Sequence, residues 1–381
     1  MTSSTTSRPI SFNKNGKLRI MHITDTHLSD KNIDDSVWLM AEACDREKPD
    51  VVIITGDNVG NCDGEAKSKE YIDKLMGTFD KRNIPAAVTF GNHDSESGEL
   101  TREELMAHYN THSSSISVDD GELLSGCGTY NIPVMSSDGK SLRFNLWVFD
   151  SNDYDKDGHY GCVLADQVEW YKQRSDELTA LNGGNKVYSL AFQHMIVADV
   201  YDALKKSDKK RFFSYSHMYN KDEYYMFDPD RQNFGTLTET PCSGYENYGQ
   251  FEAMVEKGDV LGIFTGHDHS NAFGVKYKGV DICNSLSTRY GRDAFSSQYG
   301  YRILEVDENN TAVYTSRVVH WYDMFKFRHA MALKSKGDAR AADLVFDVRW
   351  RGILMKSSHR FGRFWIHKLT GRKVTYNDLS N

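Results

Sequence analysis

The sequence predicts an α/β layered domain, and three observations carry the prediction. Over the first 320 residues, short β-rich runs alternate with helical stretches. Several runs, VVIIT and AAVTF among them, are apolar throughout, as central strands covered on both faces are. Beyond Gly274 the pattern becomes β alone and ends in a hairpin.

Taken in order, KLRIMHIT (17–24) is the first strand and DDSVWLMAEACDRE (34–47) the first helix. VVIITG (51–56) is a strand, followed by the helix of residues 65–82, which starts after Gly64. AAVTFG (86–91) and FNLWVFD (144–150) are further strands, and residues 164–181 a helix. VYSLAFQ (187–193), a helix over 247–258 that stops at a glycine, and VLGIFTG (260–266) complete the alternation. AFGVKYKGVDICNS then leads to YRILEVD and TAVYTSRVV, joined by a turn at ENN. After Trp321 the chain turns basic and aromatic in helix-compatible segments, so a boundary is placed between residues 1–320 and 321–381.

With 381 residues the chain suits one large domain or two ordinary ones. A net charge of −8 gives it no general attraction to nucleic acid or anionic lipid. The charge is uneven: from Tyr322 onward thirteen Lys and Arg face five Asp, a net of +8, which leaves −16 for the rest. No stretch is apolar and long enough to span a bilayer. MTSSTTSRPISF lacks the features of a signal peptide, and six scattered cysteines read as reduced thiols. A cytoplasmic location is expected.

Polar, metal-capable residues stand where the apolar strands stop. IMHIT ends in Asp25-Thr26-His27, VVIIT in Gly56-Asp57-Asn58, and AAVTF in Gly91-Asn92-His93-Asp94. YSLAF ends in Gln193-His194 and LGIFT in Gly266-His267-Asp268-His269. Ligands of open α/β sheets bind beyond the carboxyl ends of the strands. Each motif alone reads as a turn or a core histidine; five together do not. Two Asp, one Asn and four His suit two ions if one carboxylate bridges them, and a two-metal site suits displacement at phosphorus. Mixed nitrogen and oxygen donors favour Mn, Fe, Zn or Co over Ca or Mg.

The ordered set DTH, GDN, GNHD, QH and GHDH, from Asp25 to His269, resembles the metallophosphoesterase (calcineurin-like phosphoesterase) superfamily. VFDSNDYD, GCVLADQVEWY and STRYG resemble its purple-acid-phosphatase-like branch. The resemblance implies a four-layer α/β/β/α sandwich with two mixed β-sheets, with residues 1–320 as the catalytic domain. It implies two divalent or mixed-valence transition metal ions: Asp25, His27 and His269 on the first, Asn92, His194 and His267 on the second, and Asp57 between them. His93 would face the substrate as general acid or charge stabiliser, and Asp94 would orient His93. The expected reaction is hydrolysis of a phosphomonoester by a metal-bound hydroxide. A phosphodiesterase or nuclease is the alternative, and a non-catalytic regulator on the same fold a third reading. Three departures from the branch pattern stand out. Gly60 occupies the place of its metal-binding tyrosine, so no tyrosinate-to-iron colour is expected. Ala272 replaces an acidic residue after GHDH, and HMIVAD lacks the usual prolines.

Other features are weaker. DYDKDGHYGCVL imitates an EF-hand loop but has Leu164 where a bidentate Glu belongs, so it reads as a solvated acidic turn. The tyrosine-rich segment 215–249 is long enough to wall a pocket, with His217 and Arg231 as phosphate-binding candidates. Arg289 and Tyr290 are further candidates. The segment 345–369 mixes Arg and Lys with Trp, Phe, Ile and Leu. It is expected to dock on the acidic remainder, with peripheral membrane or nucleic-acid contact as the alternatives.

Overall fold

The computed structural model describes residues 5–59, 64–96, 100–118, 123–291 and 299–370, with side chains of the last helix described as far as Leu354. The first half runs β1 (Ile10–Ser11), β2 (Lys17–Ile23), α1 (Ile33–Glu47), β3 (Val51–Thr55), α2 (Glu65–Asp80), β4 (Ala86–Thr89), α3 (Arg102–Tyr109), β5 (Tyr130–Met135), β6 (Leu142–Val148) and α4 (Ala165–Leu181). There follow β7 (Ser189–Phe192), α5 (Val200–Ala203), β8 (Lys205–Ser207), β9 (Tyr215–Ser216), β10 (Tyr224–Met226), β11 (Asn233–Thr236), α6 (Gln250–Lys257) and β12 (Val260–Thr265). The chain closes with β13 (Ala272–Tyr277), β14 (Val280–Asn284), β15 (Gly300–Asp307), β16 (Asn310–His320), α7 (Trp321–Met324), α8 (Phe327–Ser335) and α9 (Ala339–Thr370).

Two mixed sheets face each other. One has the order β16-β15-β2-β3-β4, the other β1-β5-β6-β7-β12-β14-β13-β11. Strands β2, β3 and β4 are mutually parallel, as are β6, β7, β12 and β14. Alternation along a strand splits the apolar residues between two cores. In β2, Leu18 and Ile20 pack with Leu146, Leu190, Phe192 and Phe264 between the sheets. Met21 and Ile23 of the same strand face Leu39, Ile72 and Leu75 of α1 and α2. On the far side, Val168 and Tyr171 of α4 and Phe251 and Met254 of α6 cover Trp147, Ala191 and Ile263. The layers are therefore helices, sheet, sheet, helices.

Several elements are not evident from the sequence pattern. Strand β5 contains Pro133, which argues against a strand, yet its outer neighbour is only the two-residue β1. Helix α3 is short, and its capping box of Thr101 and Glu104 is what starts it. The tyrosine-rich segment holds β9, β10 and β11, the first two in a small sheet with β8.

From Trp321 onward the chain joins the first helical layer: Trp321, Tyr322, Phe325, Leu344, Val345 and Val348 share the core of α1 and α2. Phe325 stacks on Trp38 at 5.7 Å, and Arg340 pairs with Asp35 at 2.8 Å. Phe346, Trp350 and Leu354 of α9 are exposed. Among the described residues, no helix is long and apolar enough to cross a membrane.

Candidate metal centre

The carboxyl ends of β2, β3, β4, β7 and β12 meet where the two sheets come together, and the turns that leave them hold the candidate ligands. His194 shows the junction: its Nδ1 lies 2.7 Å from the Thr55 carbonyl oxygen of the opposite sheet, which points Nε2 into the site. Asp25, His27, Asp57 and His269 gather their donor atoms within 4.8 Å of one another, and Asp57, His194 and His267 do the same. Asp57 belongs to both groups, as a bridging carboxylate would.

Each carboxylate has one oxygen anchored and one aimed inward. Asp25 Oδ2 accepts from Thr24 Oγ1 at 2.7 Å and from the His267 amide at 3.0 Å. Asp57 Oδ1 accepts from the His93 amide at 2.8 Å. The other oxygens, Asp25 Oδ1 and Asp57 Oδ2, are buried without a hydrogen bond, and so are Asn92 Oδ1 and His194 Nε2. His194 Nε2 faces Asp57 Oδ2 at 3.2 Å and Asp25 Oδ1 faces His269 Nε2 at 3.3 Å, close enough for charge attraction without forming a hydrogen bond. Four such donors turned into one pocket are the pattern a cation would satisfy, since buried polar atoms are otherwise nearly always bonded. Mixed carboxylate, amide and imidazole donors suit transition metals.

The backbone is shaped to bring these atoms together. Asp25, His27, Asp57 and His267 adopt φ of 51°, 39°, 53° and 69°, a left-handed region that non-glycine residues enter rarely and often at functional sites. A Cβ on Gly91 would lie 2.2 Å from Asp57 Oδ1, and one on Gly266 would lie 2.1 Å from Thr24 Oγ1. Glycine at these positions permits close approach of strand ends rather than a special turn.

Electrostatics follow the same layout. Burial pushes the imidazole of His27 down to about 4 and that of His267 down to about 3, so both present neutral nitrogens. Burial also works against charge on His194, but the Asp57 carboxylate 3.2 Å away outweighs it and raises that imidazole to about 10. For Asp25, burial opposes ionisation, and the imidazoles of His269, His194 and His27 together more than offset it, holding the carboxyl below its ordinary range.

Beyond the ligand candidates, the expected partner of His93 is corrected. Asp94 does not touch the His93 imidazole. Its Oδ2 accepts from the amides of Asp57 and Gly91 at 2.7 and 2.8 Å, and its Oδ1 from those of Asn58 and Val59 at 2.8 and 3.3 Å. A carboxylate surrounded by four amides has no lone pair directed elsewhere. His93 is instead held through Nδ1 by Glu96 Oε2 at 2.6 Å, and its side chain is one-third exposed. Tyr154 links this pair to the ligands: its hydroxyl donates to Glu96 Oε1 and accepts from Asn92 Nδ2, each at 2.8 Å. That contact turns Asn92 Oδ1 inward. Glu96 lies in no motif, and Tyr154, although it falls within VFDSNDYD, had no role that the sequence pattern assigned; only the fold brings residue 154 to residue 92.

Three of the four substrate-binding candidates lie elsewhere. Arg231 pairs with Asp228 and sits over the Tyr277 ring, at the β13–β14 hairpin, opposite the end of β14 that faces the site. His217 packs on Tyr201 and accepts from the amides of Tyr219 and Asn220. Tyr290 is buried and donates to Asp347 of α9. Arg289 does stand at the rim, where His27 and His269 feel its charge and Tyr299 carries its guanidinium. Its neighbours Ser287 and Thr288 brace the first turn, Ser287 Oγ donating to the Asp25 carbonyl and Thr288 Oγ1 accepting from the Thr24 amide. Part of the tyrosine-rich segment does reach the site, through the Cys242 amide on Asp268 and the Tyr245 amide on the Tyr160 carbonyl. Tyr160 lies edge-on to His267 at 4.3 Å. Gly60 falls outside the described residues, and Ala272 opens β13 as a buried residue.

Two packed mixed sheets with a donor cluster at their shared carboxyl edge define a metal-dependent phosphoesterase scaffold. Residues 18–271 match the calcineurin-like phosphoesterase family, and the chain belongs to that family. Family members depend on two metals and act on phosphate esters. Two relatives from Arabidopsis thaliana are called probable inactive purple acid phosphatase 14 and 29. The first is 28% identical over 316 residues, covering 74% of this chain and 73% of that protein. The second is 24% identical over 304 residues, covering 72% and 73%. A dimetal phosphatase from Danio rerio aligns in structure with a TM-score of 0.49 at 13% identity, over 80% of this chain and 99% of that one.

Proposed function

We propose that this chain is an active dimetal hydrolase of phosphate esters, with monoesters as its first substrate class. The observation that carries the reading is the convergence of four orphaned buried donors, Asp25 Oδ1, Asp57 Oδ2, Asn92 Oδ1 and His194 Nε2. Asp25, His27, Asp57 and His269 would hold one ion, and Asp57, Asn92, His194 and His267 would hold the other. Bound there, a metal pair supplies Lewis acidity at the phosphoryl oxygens and an activated water. His93, partly exposed and held at Nδ1 by Glu96, presents Nε2 to the leaving oxygen and delivers its proton. Tyr154 keeps the Asn92 amide turned and Glu96 in place. The relatives' names call them inactive; this chain carries all seven donors and His93.

The test combines metal analysis with turnover of p-nitrophenyl phosphate and bis-p-nitrophenyl phosphate after reconstitution with Mn, Fe or Zn. Both ions are expected at the centre, with hydrolysis lost in Asp57→Asn and reduced by about 10²–10⁴ in His93→Ala, the span of general acid catalysis. Absence of metal, or variants as active as the native chain, would refute the proposal. Turnover of the diester alone would move the substrate class to diesters.

A further inference from the structure

A second donor cluster lies on the outer helical layer, away from the sheet edge. His108 of α3 and His112, in the turn that follows the helix, bring their imidazole rings within 6.1 Å of each other. Both direct Nε2 at the same atom, Oδ1 of Asp73 on α2, at 2.8 and 3.1 Å. The three donor atoms lie within 4.8 Å of one another. The histidine side chains are 18% and 12% exposed and that of Asp73 is 56% exposed, so the imidazoles are fixed while solvent reaches the carboxylate.

We propose that His108, His112 and Asp73 form a third metal site, a structural one for zinc or a similar transition ion, separate from the dimetal centre. Zinc accepts imidazole and carboxylate donors at about 2.0–2.2 Å, which places tetrahedral ligands roughly 3.4 Å apart. The separations of 2.8 and 3.1 Å need open by only a few tenths of an ångström. The outer contacts are those of a ligand histidine. His112 Nδ1 faces Asp80 Oδ2 at 2.8 Å; donating its N–H there, the ring would keep the Nε2 lone pair free for an ion. Asp80 is itself held by Ser113 Oγ at 3.0 Å and the Ser114 amide at 2.8 Å. Water completes the coordination on the exposed side.

The ion would clamp α3 to α2. Helix α3 begins with Arg102, whose guanidinium donates to the Gly91 carbonyl at 2.8 Å and grips Asp150 at 2.7 Å. The clamp therefore steadies the loop that carries Asn92 and His93 without touching a substrate.

The experiment is a titration of chelator-stripped full chain with zinc alone, followed by metal analysis and thermal melts. The native chain is expected to bind one equivalent more than Asp73→Asn and than His108→Gln/His112→Gln. Zinc should raise the melting temperature of the native chain further than that of either variant. Because the readout is a difference of one ion, it holds whatever the dimetal centre binds; Asp25→Asn/Asp57→Asn should retain this ion. Equal stoichiometry in the native chain and the Asp73 and histidine variants would overturn the proposal. So would an extra ion that saturates only at millimolar zinc. Asp73→Asn keeps both imidazoles and the shape of the site, so a folding defect in the double variant leaves the test intact.

Discussion

Asp94→Asn separates two roles for a residue next to His93. If Asp94 oriented the imidazole, the variant would fold normally and turn over slowly. In the structure Asp94 joins loops instead, its two oxygens accepting four backbone amides from the turns after β3 and β4. An asparagine keeps one oxygen, which suits the Asp57 and Gly91 amides. Its NH2 then faces the Asn58 and Val59 amides, donor against donor. Hydrogen bonds to charged groups contribute about 1.5–3 kcal/mol each, so two lost bonds cost about 3–6 kcal/mol. That is a large part of the ~5–15 kcal/mol by which a domain is stable. Urea unfolding of native chain and variant at the same metal concentration measures it. A midpoint far below that of the native chain, together with faster loss of metal to a chelator, is expected, because Asp57 and Asn92 lie on the two loops being joined. A variant as stable as the native chain, with only its turnover reduced, would refute the reasoning.

Glu96→Ala should lower turnover by about tenfold to a hundredfold, the range for partners that orient site residues, with metal content unchanged. Glu96→Gln, which keeps an acceptor for His93, should recover most of the loss; if it behaves like alanine, the contact is not positional. Arg102→Ala takes the cation from the buried Asp150 carboxylate, whose two oxygens each lie 2.7 Å from Arg102 Nη1 and keep only the amides of Cys127 and Asn152, and should cost about 3–5 kcal/mol in urea unfolding. Asp199 is raised from its ordinary 3.8 to about 7 by burial and by Glu252. The folded chain therefore keeps a proton that the unfolded chain releases. This contribution is whole below pH 3.8 and is lost as pH rises through about 7. Asp199→Asn should accordingly melt higher than the native chain at pH 8 and no higher at pH 3.5. An equal shift at both would contradict the assignment.

Much of the architecture was legible in sequence because it is local. Strands β2, β3, β4, β7 and β12 are short apolar runs that end in a polar cluster, and both signals survive without the third dimension. The helices at 33–47, 65–80 and 165–181 announced themselves by pattern. Strand β5 did not, since Pro133 speaks against it locally while pairing with β6 outweighs that. The seven donors and His93 were each named from their own strand end. What surrounds them depended on side chains far apart in the chain.

The sequence by itself determined which residues gather at the candidate metal centre, because polar side chains at strand ends are a matter of residue type and position. The partners were decided by the tertiary structure. Asp94 and Glu96 are both acids within three residues of His93, and nothing in their spacing says which reaches the ring. The loop from β3 brings three amides to Asp94, and Tyr154 draws Glu96 into place from the loop after β6 in the other sheet. Arg231 and His217 were reasonable phosphate binders by type, and the path of the chain puts them elsewhere. Hydrogen bonding is directional and short in range, so only packing settles which of several equivalent groups it joins.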